Sequence, residues 1–236
     1  MARAKATSEF VCQACAATFP RWEGQCRTCG AWNSLVETLI TPAERRTRTR
    51  PVTTAVPSPQ PLAAVETGAA ARTLTGLPEI DRLLGGGLVP GSVVLLGGEP
   101  GIGKSTLVLQ IAGALAGSIP AAQADARVLY ASAEESSAQL HLRAQRLGLL
   151  GGPAAGGLEV LAGTEVGDIV AAASARPTAL LVVDSIQTVE LDGLDGPPGS
   201  VGQVREAAIS LGAFAREQGV PVLLVGHVTK DLSLIH

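Results

Sequence analysis

From residue 74 onward the apolar positions fall into two alternating kinds of run. Short, continuous stretches rich in Val and Leu stand at 93–96, 128–131, 158–161, 180–183 and 222–225. Longer stretches at 104–116, 136–147, 166–175 and 201–218 repeat their apolar residues with a helical period. Strands this short and unbroken are buried on both faces when they lie in a parallel sheet between helices. The pattern therefore predicts a three-layer α/β/α domain over residues 73–231. Residues 38–72 lose all periodicity to Pro42, Pro51, Pro57, Pro59 and Pro61 and carry the basic run Arg45, Arg46, Arg48 and Arg50. They read as a linker whose charges are solvated. Residues 1–37 form a separate small module, too short to close a core without a staple.

Composition narrows the class. Hydrophobic residues at 46% exclude a disordered chain. No apolar stretch approaches the roughly 20 residues a helical membrane span needs. The first ten residues carry no apolar block and no cleavage pattern, so the expected address is cytoplasmic, with no membrane partner. The net charge of −3 is unevenly divided: residues 1–50 hold eight Lys/Arg against four Asp/Glu, and the remainder ten against seventeen. Bulk charge is thus no source of nucleic-acid affinity, which would need a local surface.

All four cysteines, Cys12, Cys15, Cys26 and Cys29, fall in the spacing C-x2-C-x10-C-x2-C. Two such knuckles each present two thiolates on a tight turn, and the ten-residue excursion lets the second complete a tetrahedron around a soft ion, with Zn2+ the expected occupant. Trp22 and Trp32 flank the second knuckle. The expectation is that they supply the module's small core, in preference to stacking on nucleobases.

The first predicted strand runs into Gly98, Glu99, Pro100, Gly101, Ile102, Gly103, Lys104, Ser105 and Thr106, the phosphate-binding pattern G-x4-G-K-[ST] between a strand and a helix. Its glycines let backbone N–H groups face phosphate oxygens, Lys104 reaches the β- and γ-phosphates, and Ser105 offers a hydroxyl to Mg2+. Asp184, ending the run Leu180, Leu181, Val182, Val183, is placed to hold Mg2+ from across the sheet edge. For hydrolysis a carboxylate must orient water. Ser132 and Glu135 have the spacing of a capping box for the following helix, which leaves Glu134 as the expected catalytic carboxylate. His227 ends the last strand, where it serves either as a sensor of the γ-phosphate or as a buried structural histidine, and Lys230 follows as a solvated cation.

These features together resemble the bacterial RadA (Sms) DNA-repair ATPases, relatives of RecA recombinases and of ring-shaped replicative helicases. The resemblance runs from about Phe10 to Asp231. It rests on the four-cysteine finger, residues 75–92, the phosphate loop, residues 132–136, 183–188, 204–206 and 225–230. It implies a RecA-like ATPase that uses ATP and Mg2+, forms a homo-oligomeric ring, loads on single-stranded DNA, extends branched recombination intermediates by branch migration and works beside RecA. In that family the ATPase core continues through a Lys-Asn-Arg-Phe-Gly motif into a Lon-protease-like domain. The expectation is therefore of a core cut short near Asp231, with weak turnover and a non-native tail over Leu232, Ser233, Leu234, Ile235 and His236. A rival reading is a RecA-like ATPase of the clock-autokinase type that does not act on DNA, and a third is a nucleotide- and zinc-binding fragment without turnover. The finger and the 225–230 motif favour the DNA reading.

Overall fold

The five short apolar runs become five parallel strands of a single sheet: β4 (Val93–Gly98), β5 (Arg127–Ser132), β6 (Leu158–Ala162), β7 (Thr178–Asp184) and β8 (Val222–His227). Their order across the sheet is β4-β8-β7-β5-β6. The structure, a computed structural model, describes residues 7–15, 17–40, 61, 72–120, 123, 125–152 and 154–227. The linker arginines, Lys230 and the tail 232–236 lie outside those residues. The chain divides into two compact units, Met1–Ala70 and Ala71–His236.

In the larger unit each strand before β8 is followed by a connection that returns the chain to the other end of the sheet. The longer helices are α2 (Lys104–Ser118), α3 (Ser137–Arg146), α5 (Val166–Ala175) and α6 (Val201–Gln218). The short α1 (Pro78–Leu83) precedes β4, and α4 (Ala154–Gly157) precedes β6. Successive strand side chains point to opposite faces, so the sheet feeds two separate cores. One joins Leu129, Leu181, Val183 and Leu224 to Ile169 of α5 and to Leu211 and Phe214 of α6. The other joins Val128, Tyr130, Val182, Leu223 and Val225 to Val108 and Leu109 of α2 and Leu140 of α3. The layered α/β/α architecture expected from the periodicity is the one observed.

Burial on both faces holds for the sequence expectation at β5 and β8 and for most of β7, but not at the two ends of the sheet. β4 alternates, with Val94 and Leu96 packed inward and Val93 and Leu95 exposed, the latter at 62%; β6 is likewise only partly covered. The reason is position, because an edge strand of this sheet lacks a neighbour on one side and a complete layer above it. Among the described residues no helix is long and apolar enough to cross a membrane.

The smaller unit is a three-stranded antiparallel ribbon of β1 (Thr7–Cys12), β2 (Thr18–Phe19) and β3 (Leu35–Ile40), in the order β2-β1-β3. β3 continues three residues past the expected start of the linker, because Thr38, Leu39 and Ile40 pair with Glu9, Ser8 and Thr7. Its core is Cys12, Cys26 and Leu35, with Phe10, Cys15, Ala17 and Phe19 packed against them. Trp22 and Trp32 are not part of it. They are 57% and 71% exposed, which corrects the expectation that they build the core. The phenylalanines and the thiols already fill so small an interior.

Candidate functional site

At the carboxyl edge of the parallel sheet β4 hands over to the phosphate loop. Gly101 and Gly103 adopt φ of 79° and 98°, a left-handed backbone that any side chain would strain. A methyl group added at either would meet nothing within 4 Å, so the loop curls around open space. Gly103 is also the N-cap of α2, and no side chain caps that helix, which leaves its first amides and positive dipole end turned toward the loop. Lys104 is buried, with Nζ donating to the carbonyls of Gly98 (2.9 Å) and Glu99 (2.8 Å). These carbonyls partner an ammonium that burial would otherwise leave uncompensated. Ser105 and Thr106 sit half-buried on the first turn of α2, while Glu99, Pro100 and Ile102 are exposed.

Strand register brings the remaining polar side chains to the same edge. Ser132 pairs with Asp184 across β5 and β7, Asp184 with Val225 across β7 and β8, and Gly98 with His227 across β4 and β8. Asp184 is 5% exposed and its Oδ2 accepts a 2.6 Å hydrogen bond from the Tyr130 hydroxyl. Burial first, then the charge and hydrogen bond of Asp184, push the Tyr130 phenol far above its ordinary range, so it remains a donor. The other carboxylate oxygen, Oδ1, is buried without a hydrogen-bond partner. An unpartnered anionic oxygen of this kind fits a hard cation or its water, and with Ser105 supplies oxygen donors of the type Mg2+ takes.

Glu134 stands between two strand ends. Its Oε1 accepts from Ser185 Oγ at 2.5 Å and lies 3.0 Å from His227 Nε2. Partial burial works to raise the carboxyl, but the Ser185 hydrogen bond, His227 and the charge of Lys104 outweigh it and hold Glu134 below the ordinary 4.5. The structure therefore gathers Glu134, Ser185 and His227 into one cluster. Gln187 donates to the His227 carbonyl at 3.1 Å and fixes the end of β8.

The capping expectation is corrected. Ser132 is the last residue of β5 and its hydroxyl closes a turn onto the Glu135 backbone, accepting from N–H at 3.0 Å and donating to C=O at 2.9 Å. α3 begins later, at Ser137, under a capping box made by Ser136 and Gln139. The chain must first turn off the sheet, and only then can a helix start. The Glu135 carboxylate pairs with Arg143 at 2.5 Å, so it is engaged away from Glu134 although not as a cap.

Tyr130 and Ser185 were not legible as site residues. Tyr130 lies inside an apolar strand, and its one signal is being the sole tyrosine of the chain. Ser185 follows the strand-terminal Asp184, and only the fold sets it beside Glu134.

In the ribbon the four Sγ atoms lie within 4.8 Å of one another, with Cys12 to Cys29 at 3.7 Å and Cys15 to Cys26 at 3.6 Å. A tetrahedron of sulfurs about 2.3 Å from a central zinc has edges of about 3.8 Å, so the donor set fits that ion. Electrostatics agrees. Burial opposes ionising Cys12, yet the Ser34 hydroxyl and the backbone of Ala14 and Cys15 bring its thiol down to about 6. Burial and the neighbouring thiols push Cys15 up to about 12. One thiolate is favoured and its neighbour resists, so a cation among them is what lets all four ionise.

Comparison with known proteins accords with both units. Residues 57–233 match the family described as AAA domain, and residues 10–37 match the rubredoxin metal binding domain. The chain belongs to the AAA domain family. It is 45% identical over 233 residues to the DNA repair protein RadA of Bacillus subtilis (strain 168), covering 98% of this chain and 49% of that protein. It is 44% identical over 231 residues to RadA of Pseudomonas aeruginosa, with coverage of 98% and 49%. For RadA of Escherichia coli (strain K12) the identity is 41% over 230 residues, with 95% and 48% covered. The chain thus spans about half the length of the curated relatives it matches.

Proposed function

We propose that this chain is the ATP-binding part of a cytoplasmic DNA-repair ATPase that acts on single-stranded and branched DNA beside the RecA recombinase, in a ring of like subunits. The observation that carries the reading is the convergence at one sheet edge of the open glycine loop, Lys104, the unpartnered Asp184 Oδ1 and the Glu134–Ser185–His227 cluster. Kinship with proteins named DNA repair protein RadA supports the DNA context.

Residues 98–106 wrap the phosphates through backbone N–H groups, and Lys104 exchanges its two loop carbonyls for phosphate oxygens. Ser105 and Asp184 would hold Mg2+, whose charge would stabilise the transferring phosphoryl group. Glu134 keeps one oxygen on Ser185 and His227 and uses the other to orient water, which requires that it stay ionised. His227 touches both Glu134 and, through register, the β4 edge at Gly98, which suits a residue that reports on the γ-phosphate. The DNA reading is preferred to an autokinase because the similarity to a protein named DNA repair protein RadA runs over 98% of this chain, the ribbon included.

Lys104→Ala is expected to abolish nucleotide binding, whereas Glu134→Gln retains ATP and stalls hydrolysis, since it leaves cradle and cation site whole. Nucleotide binding and phosphate release, with and without single-stranded DNA, distinguish the two. Turnover at the wild-type rate in Glu134→Gln, or its loss in Glu135→Gln alone, refutes the assignment of the catalytic carboxylate.

A further inference from the structure

We propose that Trp22 and Trp32 form a platform on the metal ribbon that stacks on unpaired bases of single-stranded nucleic acid. The inference rests on the DNA-binding reading above and assigns one of its contact surfaces.

Both tryptophans are displayed on the surface, not buried. At 57% and 71% exposure they are two of the three large apolar side chains that the ribbon leaves exposed among the described residues, the third being Val36 at 39%. Both rings also approach one backbone position. A methyl group on Gly24 would lie 3.8 Å from Trp22 Cη2 and 3.9 Å from Trp32 Cζ3, so the two ring edges converge over one backbone position that has no side chain of its own. The backbone beneath is tied down. Gln25 and Trp32 form an antiparallel bridge, Asn33 N–H donates to Gly24 C=O at 2.8 Å and Cys26 N–H to Ala31 C=O at 2.8 Å, and Cys26 is itself a predicted metal ligand. The rings therefore project from a rigid knuckle, and ordering them costs little on binding.

The frame around the rings decides the partner. A protein-docking patch surrounds its aromatic anchor with further apolar surface. Here the exposed neighbours along the chain include Arg21, Gln25, Arg27, Thr28 and Asn33, hydrogen-bonding or cationic side chains. Glu23 spends its charge on Arg27, at 2.6 Å. By sequence, residues 1–70 carry eight Lys/Arg against five Asp/Glu, and residues 71–236 ten against sixteen. That excess lies in Arg3 and Lys5 and in the run Arg45, Arg46, Arg48 and Arg50, so along the sequence the tryptophans stand between two basic segments of an otherwise acidic chain. Exposed aromatic faces flanked by basic segments are the combination that binds single strands without sequence preference.

The chain contains two tryptophans in all, so its tryptophan emission reports this platform and nothing else. The test titrates the zinc-loaded 236-residue chain with a dye-labelled oligothymidylate at low salt, following dye anisotropy and tryptophan emission together. The expected result is quenching that saturates with the anisotropy. Trp22→Ala and Trp32→Ala should each weaken binding by about 5- to 150-fold, the range for loss of one stacked base, while Trp32→Phe keeps most of the affinity. Zinc content near one per chain in every variant shows that the ribbon is intact. Anisotropy that rises while emission stays constant, with both alanine variants binding like the wild type, overturns the platform and leaves the DNA reading standing. Failure of the wild type to bind any oligonucleotide overturns both. Emission that responds to a recombinase protein alone and not to oligonucleotide assigns the pair to a protein partner and likewise overturns the proposal.

Discussion

Glu134 illustrates how a side chain acquires a role from neighbours distant in sequence. One of its oxygens is held by Ser185, 51 residues away, and by His227, 93 residues away. Its carboxyl lies below the ordinary 4.5 because these partners and Lys104 outweigh partial burial. A depressed carboxyl favours the folded chain above the ordinary value, and that contribution is lost as pH falls through the folded one. On the proposed role of Glu134 in orienting water, the same shift keeps it ionised in mildly acidic solution. Ser185→Ala removes one of the lowering contacts, so the acid limb of the pH–rate profile is expected to move to higher pH, with nucleotide affinity nearly unchanged. A profile that does not move would mean that Ser185 does not act through Glu134. Tyr130 plays the matching part for Asp184. Tyr130→Phe leaves a second buried carboxylate oxygen unpartnered, and nucleotide binding is expected to need more Mg2+, measured by titrating the cation at fixed nucleotide.

At the scale of elements, most of the architecture was readable. α5 and α6 begin and end where the helical period does, at Val166–Ala175 and Val201–Gln218, and the five strands contain the five apolar runs. The corner between β5 and α3 departs from the expected capping: two serines, Ser132 and Ser136, each have an acid or amide three residues on. Ser132 is the expected cap, whereas Ser136 is the observed one. The sheet decides, because Ser132 is still paired on both sides and cannot begin a helix. Ser136→Ala is therefore expected to cost about 1 kcal/mol of stability in chemical denaturation, within the usual range for a lost N-cap. Glu135→Gln weakens one half-buried ion pair with Arg143 and should cost less. Equal losses for the two would contradict this placement of the cap.

Over the whole molecule each unit carries its own core, one of thiols and phenylalanines and one of a layered sheet. Removing the metal with a chelator, or acidifying so that the cysteines reprotonate, is expected to unfold the ribbon and leave the main thermal transition of the α/β unit in place. Cys26→Ser should do the same, as far-ultraviolet dichroism alongside metal analysis would report. A single shared transition that falls when metal is lost would refute the independence of the two cores. The sequence by itself determined whatever depends on residues close along the chain: the cysteine knuckles, the glycine loop before Lys104, the alternation of strands and helices, and Asp184 at a strand end. These follow from bond geometry and periodicity, which need no distant partner. Only the tertiary structure decided that Tyr130 holds Asp184, that Ser185 and His227 share Glu134, that β4 has an open face, and that both tryptophans face outward. Each of these depends on parallel register joining strand ends far apart in sequence, or on how little interior a small ribbon has to fill.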